Sequence, residues 1–240
     1  MKLPDFKYEN EALNNGFGMI AGLDEVGRGA FAGPVVTGCV VFNRQIYKSA
    51  NLQIAINDSK KLTSRQREVA DKWIRENCLA YGIGMASVSQ INKLGIKKAT
   101  DIAFRKAICE ANNNLHSLTV HQSNSSSVDY LLVDAFNIPR VKGIKFNHQK
   151  PIIKGDSLSI SIAAASIIAK LYRDRLMAEL SKKPKYAKYN WHKNKGYGTL
   201  EHREAINKHG ISKLHRKTFV NTWMIKSITS KKRITGITGD

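Results

Sequence analysis

Two kinds of apolar pattern occur along the chain, and each predicts a type of secondary structure. Short runs rich in β-branched residues predict strands at about 17–24, 34–42, 79–88 and 130–133. The last run is apolar at every position, which is typical of a strand buried on both faces. Apolar residues at helical spacing predict helices at about 63–77, 89–112, 157–180 and 199–208. Strands that alternate with helices indicate an α/β fold with a mixed sheet.

Polar segments separate these elements. Residues 1–15 are polar and predict a short arm, and the Asn- and Ser-rich stretch 112–127 predicts a surface loop within a domain. No run of 18 or more apolar residues occurs, so no transmembrane helix is expected. Cys39, Cys78 and Cys109 match no metal spacing and predict buried free thiols in a reducing compartment. Because the N-terminus also lacks an apolar signal segment, we expect a cytoplasmic protein.

Charge adds a functional expectation to this picture. Among 240 residues, 39 Lys and Arg stand against 19 Asp and Glu, which gives a formal net charge of +20 at pH 7. An excess of this size favours a polyanionic partner, most simply a nucleic acid. A membrane surface, or solubility alone, would also account for it.

The bend between the first two strands carries two acids directly before a glycine–arginine–glycine turn. Its sequence is Gly22-Leu23-Asp24-Glu25-Val26-Gly27-Arg28-Gly29. In a regular strand, neighbouring side chains point to opposite faces. We therefore predict a break in strand geometry at 24–26 that lets both acids reach one site. A regular strand running through Arg28 would exclude a shared site.

Two further acids stand at comparable positions. Asp134 follows the fourth strand, and Asp156 precedes the long helix. Carboxylates suit Mg²⁺, which prefers oxygen ligands, and two ions about 3.5–4 Å apart can stabilise the attacking water and the leaving oxygen of a phosphodiester. Each acid alone could instead be a turn residue or a helix cap, and the spacing leaves both interpretations open.

Other candidate residues are less suited to a metal site. Asp174 would lie about 27 Å from Asp156 along one helix at ~1.5 Å per residue, so a salt bridge is expected instead. The spacings of His192, His202, His209 and His215 fit no tight zinc pair, and structural roles are expected for His202 and His215. Lys60 and Lys61 either contact phosphate or form an ordinary solvated pair, and Lys60 is kept as a candidate substrate-binding residue.

Sequence blocks in a fixed order resemble those of the ribonuclease HII family. The blocks are Gly22–Val35, Asp58–Leu62, Val133-Asp134, Lys154–Asp174, Gly196–His202 and His215–Phe219, and they cover roughly residues 17–220. The chain departs from the family pattern at Val26, where alanine is usual, and at Ala30-Phe31, where Pro-Leu is common. Neither departure removes a carboxylate or the turn.

The resemblance implies a ribonuclease H-like fold, with a mixed five-stranded sheet flanked by helices and a C-terminal helical extension. It implies hydrolysis of the RNA strand of RNA–DNA hybrids and cleavage 5′ to single ribonucleotides embedded in duplex DNA, leaving 5′-phosphate and 3′-hydroxyl ends. It also implies Mg²⁺ or Mn²⁺ as cofactor, with two ions during catalysis, and a monomeric state. The alternative is a basic nucleic-acid-binding protein that keeps the fold without hydrolysis; the presence of all four acids favours the enzyme.

The motifs assign roles to individual residues by resemblance. The catalytic, metal-binding carboxylates would be Asp24, Glu25, Asp134 and Asp156. The turn formed by Gly27, Arg28 and Gly29 would read the ribose 2′-hydroxyl at the RNA–DNA junction, and Tyr197 would pack on the adjacent deoxyribose. The residue types suit these roles, because glycines allow close backbone approach and the 2′-hydroxyl distinguishes RNA from DNA.

The expected organisation has four parts. They are an N-terminal arm at 1–16, a ribonuclease H-like catalytic domain at 17–182, a C-terminal helical substrate-contacting part at 183–226 and a flexible basic tail at 227–240.

Overall fold

A mixed five-stranded sheet forms the centre of the molecule. The computed structural model describes residues 3–47, 56–57, 59–119 and 127–235. The strands are β1 (Ile20–Val26), β2 (Val35–Phe42), β3 (Cys78–Ala86), β4 (Tyr130–Asp134) and β5 (Gln149–Ile152), in the spatial order β3-β2-β1-β4-β5. The pairs β1–β2 and β2–β3 are antiparallel, whereas β1–β4 and β4–β5 are parallel. The predicted α/β fold with a mixed sheet is confirmed.

Helices cover both faces of this sheet. They are α1 (Lys7–Asn14), α2 (Arg44–Tyr47), α3 (Ser64–Asn77), α4 (Val88–Leu94), α5 (Ile96–Thr119), α6 (Ile160–Lys182), α7 (Pro184–Ala187), α8 (Trp191–Asn194), α9 (Leu200–His209) and α10 (Lys217–Thr235), with short 3₁₀ turns at Phe146–His148 and Gly155–Ser157. One face of the sheet packs against α6, with α1 and α3 beside it. The other face packs against α5. The core is thus divided into two layers by the sheet.

Glycines in the strands let both main helices approach closely. A Cβ atom added at Gly22 would lie 2.1 Å from the carbonyl carbon of Ser161 in α6, and one at Gly38 would lie 2.3 Å from the carbonyl oxygen of Ala165. On the opposite face, a Cβ at Gly84 would lie 1.9 Å from the carbonyl oxygen of Ala103 in α5. Such contacts leave no room for any side chain, so these positions require glycine.

The helix predictions are confirmed in part. Helix α3 begins where predicted, with Thr63 and Gln66 forming a capping box. The helix predicted over 89–112 is two helices, because Gly95 adopts a φ of 80° and ends α4. The loop predicted from 112 is wrong over 112–119, which belong to α5; its residues 120–126 lie outside the described residues.

Helix α5 extends through polar residues because their side chains form hydrogen bonds with strand β3 and with the segment just before β4. The Asn112 side chain accepts a hydrogen bond from the Val128 amide at 2.9 Å, and the Asn114 amide group donates to the Tyr81 carbonyl at 2.8 Å. The next residue, Leu115, is buried in the apolar layer between α5 and the sheet. An amphipathic helix with a polar outer face therefore continues where composition alone indicated a loop.

The N-terminal segment expected as an arm contains α1, which packs on the core. Phe6 and Ala12 belong to the apolar layer beside α6. Glu9 is fully buried and accepts hydrogen bonds from the Ser159 hydroxyl at 2.6 Å and the Ser161 amide at 3.0 Å. Burial raises the pKa of Glu9, and these hydrogen bonds oppose the rise. The segment is thereby tied to the start of α6.

The C-terminal helices enclose a small aromatic core of their own. Tyr186, Tyr189 and Trp191 pack together with Met177 of α6 and Ala32 of the loop between β1 and β2. None of the helices in the described part of the chain is long and apolar enough to cross a membrane. The three cysteines are free thiols as predicted, but only Cys39 is buried; Cys78 is half-buried and Cys109 is exposed.

Candidate active site

The C-terminal ends of β1 and β4 bring two of the predicted acids together. These strands are parallel neighbours whose register pairs Leu23 with Val133, so Asp24 and Asp134 follow at adjacent positions. Side chains alternate along a strand, and Gly22 lies against α6. Asp24, two residues further on, therefore faces the same layer.

Asp24 is buried among polar groups. Its side chain is hydrogen-bonded to the Ser166 hydroxyl of α6, which lies 2.9 Å from the Ser59 hydroxyl. Its Oδ1 accepts a hydrogen bond from the Glu25 amide at 2.7 Å. Burial raises the pKa of Asp24 well above its usual value, and the nearby Glu25 and Asp134 carboxylates raise it further. The site thus gathers carboxyl groups where burial disfavours their charged form.

The predicted break in strand geometry at 24–26 is wrong. Strand β1 stays paired with β2 through Val26, which packs against Val36 and Ala169 and so keeps the strand regular. Asp24 and Glu25 consequently point to opposite faces of the sheet. The strand nevertheless ends before Arg28, because Gly27 adopts a φ of 86°. The arrangement that would have excluded a shared site, a strand running through Arg28, is therefore absent.

Glu25 lies near the end of β1, where it is largely buried and contacts Arg28. Its Oε1 is 3.3 Å from Nη1 of Arg28, whose guanidinium lies 4.8 Å above the centre of the Phe136 ring. Burial raises the pKa of Glu25 to about 7; the Arg28 charge opposes this rise and the Asp134 carboxylate adds to it. Because Asp134 acts electrostatically on both Asp24 and Glu25, the three carboxylates share one region of charge.

Asp156 belongs to the 3₁₀ turn that precedes α6. The amide of its neighbour Gly155 donates to Oδ1 of Asp134 at 2.8 Å, which joins this turn to the end of β4. Oδ2 of Asp156 lies 3.5 Å from Nζ of Lys60. The N-cap of α6 is Ser159 rather than Asp156, so the helix-cap interpretation of this acid does not hold.

The donor chemistry of these residues suits a hard divalent cation. Among the described residues, no three His, Cys, Asp or Glu side chains already surround one ion position. The four acids nevertheless offer only oxygen ligands, and Oε2 of Glu25 is buried without a hydrogen-bond partner within the described residues. A bound cation would offset the burial and the repulsion from nearby carboxylates that raise the pKa of Asp24 and Glu25. The residues therefore fit a divalent cation that prefers oxygen ligands.

The glycine–arginine–glycine turn lies beside the acids and is held by two buried arginines. A Cβ at Gly27 would lie 2.0 Å from Nε of Arg173, whereas nothing approaches within 4 Å of one at Gly29. Arg216 donates from Nη1 to the Arg28 carbonyl at 2.8 Å. The turn therefore has one packed glycine and one that is open to solvent.

Tyr197 lies in a loop that is pinned to the same turn region. The Gly196 carbonyl accepts hydrogen bonds from the amides of Phe31 at 2.8 Å and Ala32 at 3.0 Å. The guanidinium of Arg173 lies 5.4 Å from the centre of the Tyr197 ring, which is half-buried. Tyr197 is therefore connected through backbone and arginine contacts to the turn at 27–29.

Several residues that hold the site were given no role by sequence reasoning. They are Phe136, Ser166, Arg173 and Arg216. The last three lie inside the sequence blocks that resemble the family, so membership in a block was their only signal. Phe136 had none, because its contact with Arg28 depends on where β4 ends relative to β1.

The residues judged unsuited to a metal site behave as expected. Asp174 forms a salt bridge with Lys170 at 2.8 Å. His202 and His215 are buried, and their Nε2 atoms lie 3.1 Å apart. The ring nitrogens of His202 also bond Trp191 and the Tyr197 carbonyl, and Nδ1 of His215 accepts from the Ser212 amide. These contacts support the structural roles predicted for both histidines.

Comparison with known proteins identifies the relatives of this chain. The model of the family described as Ribonuclease HII matches residues 21–222. A ribonuclease HII of Wolbachia pipientis subsp. Culex pipiens is 48% identical over 219 residues, which are 91% of this chain and 97% of the relative.

Solved structures share the fold. The ribonuclease HII in a PCNA complex from Archaeoglobus fulgidus has a TM-score of 0.60 at 22% identity, covering 82% of this chain and 92% of its own. Bst-RNase HIII in complex with Mn²⁺ has a TM-score of 0.58 at 21% identity, covering 89% of this chain and 71% of its own.

Proposed function

The chain belongs to the ribonuclease HII family, and we propose that it hydrolyses the RNA strand of RNA–DNA hybrids and cleaves duplex DNA 5′ to single embedded ribonucleotides. The observation that carries this proposal is the position of Asp24 and Asp134 at adjacent strand ends, one turn away from Gly27-Arg28-Gly29. Acids for hydrolysis and a turn that can approach a sugar thus occupy one edge of the sheet.

We assign the metal-binding role to Asp24, Glu25, Asp134 and Asp156. Two divalent ions, Mg²⁺ or Mn²⁺, would supply positive charge for the attacking water and for the leaving oxygen. Water loses a proton and adds to the phosphorus in line with the departing 3′-oxygen, the P–O3′ bond breaks, and the 3′-oxygen takes up a proton. The products carry 5′-phosphate and 3′-hydroxyl ends.

The chain's own residues would position the substrate. The exposed Gly29 leaves room for a ribose to approach the backbone, and Arg28, held between Glu25 and Phe136, carries charge toward the phosphate. Tyr197 would pack on the neighbouring deoxyribose, where a 2′-hydroxyl would crowd the ring. Lys60, which is paired with Asp156, would contact phosphate.

The decisive experiment uses a DNA duplex that carries one ribonucleotide, incubated with the full chain and Mg²⁺ or Mn²⁺. We expect cleavage 5′ to the ribonucleotide that requires the metal and is lost in Asp134→Asn. Binding of the duplex without metal-dependent cleavage by the wild type would instead support the non-hydrolytic nucleic-acid-binding protein. The monomeric state and the cytoplasmic location stay predictions, the first of which gel filtration would test.

A further inference from the structure

Three chain segments meet behind the glycine–arginine–glycine turn, and buried cations hold them together. The segments are the loop 27–34 between β1 and β2, the loop 195–199 that contains Tyr197, and the loop 211–216 before α10. Arg173 joins the first two, because it donates to the carbonyls of Ala32 at 3.1 Å and Lys195 at 2.9 Å. A third bond, from Nε to the Pro34 carbonyl at 3.0 Å, uses the remaining side of its guanidinium.

Arg216 holds the first loop at other backbone groups. Its Nη1 donates to the Arg28 carbonyl at 2.8 Å and its Nε to the Gly33 carbonyl at 3.0 Å. The Arg216 amide also donates to the Phe31 carbonyl at 2.7 Å. Both ends of the turn region are therefore fixed by one residue.

His215, the preceding residue, reaches Tyr197 through a second histidine. The Ser212 amide donates to Nδ1 of His215 at 2.9 Å, which leaves the His215 proton on Nε2, 3.1 Å from Nε2 of His202. His202 Nε2 also accepts from Trp191 Nε1 at 3.1 Å, so its own proton is on Nδ1 and points to the Tyr197 carbonyl at 2.9 Å. Neutral histidines with fixed tautomers thus connect residue 215 to residue 197.

The arrangement is costly for a purely structural purpose. Arg173 and Arg216 are fully buried, and Nη2 of Arg216 has no hydrogen-bond partner within the described residues. Burial and the charge of the neighbouring Arg173 lower the pKa of Arg216 to about 9. Apolar residues of similar size would fill this space at a lower desolvation cost, but they could not bond the carbonyls of the turn.

We propose that Arg173, His215 and Arg216 are positioning residues that fix the turn at 27–29 relative to Tyr197, and that they thereby set how strictly the enzyme selects an RNA–DNA junction. The inference rests on the proposed function, in which the turn and Tyr197 contact adjacent sugars. It goes further, because it assigns the strictness of selection to residues that contact neither sugar.

The test measures kcat/KM on two substrates of the same sequence, a DNA duplex that carries one ribonucleotide and a uniform RNA–DNA hybrid, and takes the ratio of the first value to the second. Arg216→Lys removes the planar fork that places Nε and Nη1 against the two carbonyls, and a displacement of about 1 Å can cost about 100-fold in rate. We expect the ratio of the two kcat/KM values to fall at least about tenfold. His215→Gln alters the Tyr197 side and should lower the same ratio.

Leu115→Ala is the matched control, because Leu115 is buried on α5 in an apolar cluster that includes no residue of the three segments. A merely destabilising change lowers cleavage of both substrates together, so the control should leave the ratio within twofold of the wild type. An unchanged ratio in folded Arg216→Lys would overturn the proposal. If that variant does not fold, an unchanged ratio in His215→Gln would do so. Absence of any metal-dependent cleavage by the wild type would instead refute the proposed function.

Discussion

Gly27 and Gly29 flank Arg28, and substitution by alanine should destabilise the fold strongly at Gly27 but hardly at Gly29. At Gly27, φ is 86° and an added Cβ would lie 2.0 Å from Nε of Arg173. At Gly29, nothing lies within 4 Å of an added Cβ. Gly27→Ala and Gly29→Ala therefore introduce the same methyl group two residues apart, one into packed surroundings and one into solvent.

The expected loss for Gly27→Ala has two sources. A non-glycine residue in the left-handed region costs about 1–2 kcal/mol. The methyl group must also displace Arg173, whose three bonds to the carbonyls of Ala32, Pro34 and Lys195 hold it in place. Hydrogen bonds from a charged group contribute about 1.5–3 kcal/mol each, so breaking one or two raises the total loss to about 3–8 kcal/mol. This is a large part of the ~5–15 kcal/mol typical of a folded domain.

Urea unfolding followed by tryptophan fluorescence measures both variants. We expect Gly29→Ala to remain within about 0.5 kcal/mol of the wild type, as is usual for an unconstrained surface site. If the turn approaches a ribose as proposed, Gly29→Ala should nevertheless lose at least about tenfold in cleavage at a single ribonucleotide, because its methyl group occupies the approach path. A folding free energy of Gly27→Ala within 1 kcal/mol of the wild type would refute the reasoning about Arg173.

Three further predictions follow from other parts of the structure. Burial and the nearby His202 lower the pKa of His215 to about 4, so below about pH 6.5 the unfolded chain binds a proton at this histidine that the folded protein does not bind. Since one pKa unit is about 1.4 kcal/mol, the free energy of unfolding of the wild type should fall between pH 7 and pH 4 by about 3 kcal/mol more than that of His215→Gln. Urea unfolding that shows the same pH dependence for both proteins would contradict this. Gly84→Ala should cost about 3 kcal/mol in the same assay, because its Cβ meets the α5 backbone at 1.9 Å, and a loss no larger than that of Gly29→Ala would show that α5 can move. Affinity for the ribonucleotide-containing duplex, measured by fluorescence anisotropy without added divalent metal, should fall more than about tenfold between 50 and 200 mM salt, and a flat profile would contradict phosphate neutralisation by the +20 charge.

Local pattern was sufficient for most elements of this fold. Apolar runs with β-branched residues predicted β1, β2 and β4 close to their observed bounds, because strand formation here depends on burial that the residues themselves provide. Thr63 or Ser64 was expected to cap the next helix, and Thr63 is the N-cap of α3, because its side chain bonds a backbone amide only three residues away. The order of sequence blocks predicted the family, which the match over residues 21–222 confirms.

Tertiary structure decided the features that depend on contacts between segments far apart in the sequence. The composition of 112–119 indicated a loop, but contacts with β3 and Val128 make it part of α5. The adjacency of Asp24 and Glu25 indicated a strand break, but packing of Val26 on α6 keeps β1 regular, and the two acids lie on opposite faces of a strand end. A sequence states which residues are neighbours along the chain, whereas these outcomes depend on partners that only the packed sheet supplies.

The same reason separates the residues of the candidate site from those that hold it. Acids after a strand and a glycine–arginine–glycine turn have a local signature, so Asp24, Asp134 and Arg28 could be singled out from the sequence. The buried guanidinium of Arg216 reaches the Arg28 carbonyl across 188 positions of sequence. Its role depends on the distance between two loops, and that distance exists only in the folded molecule.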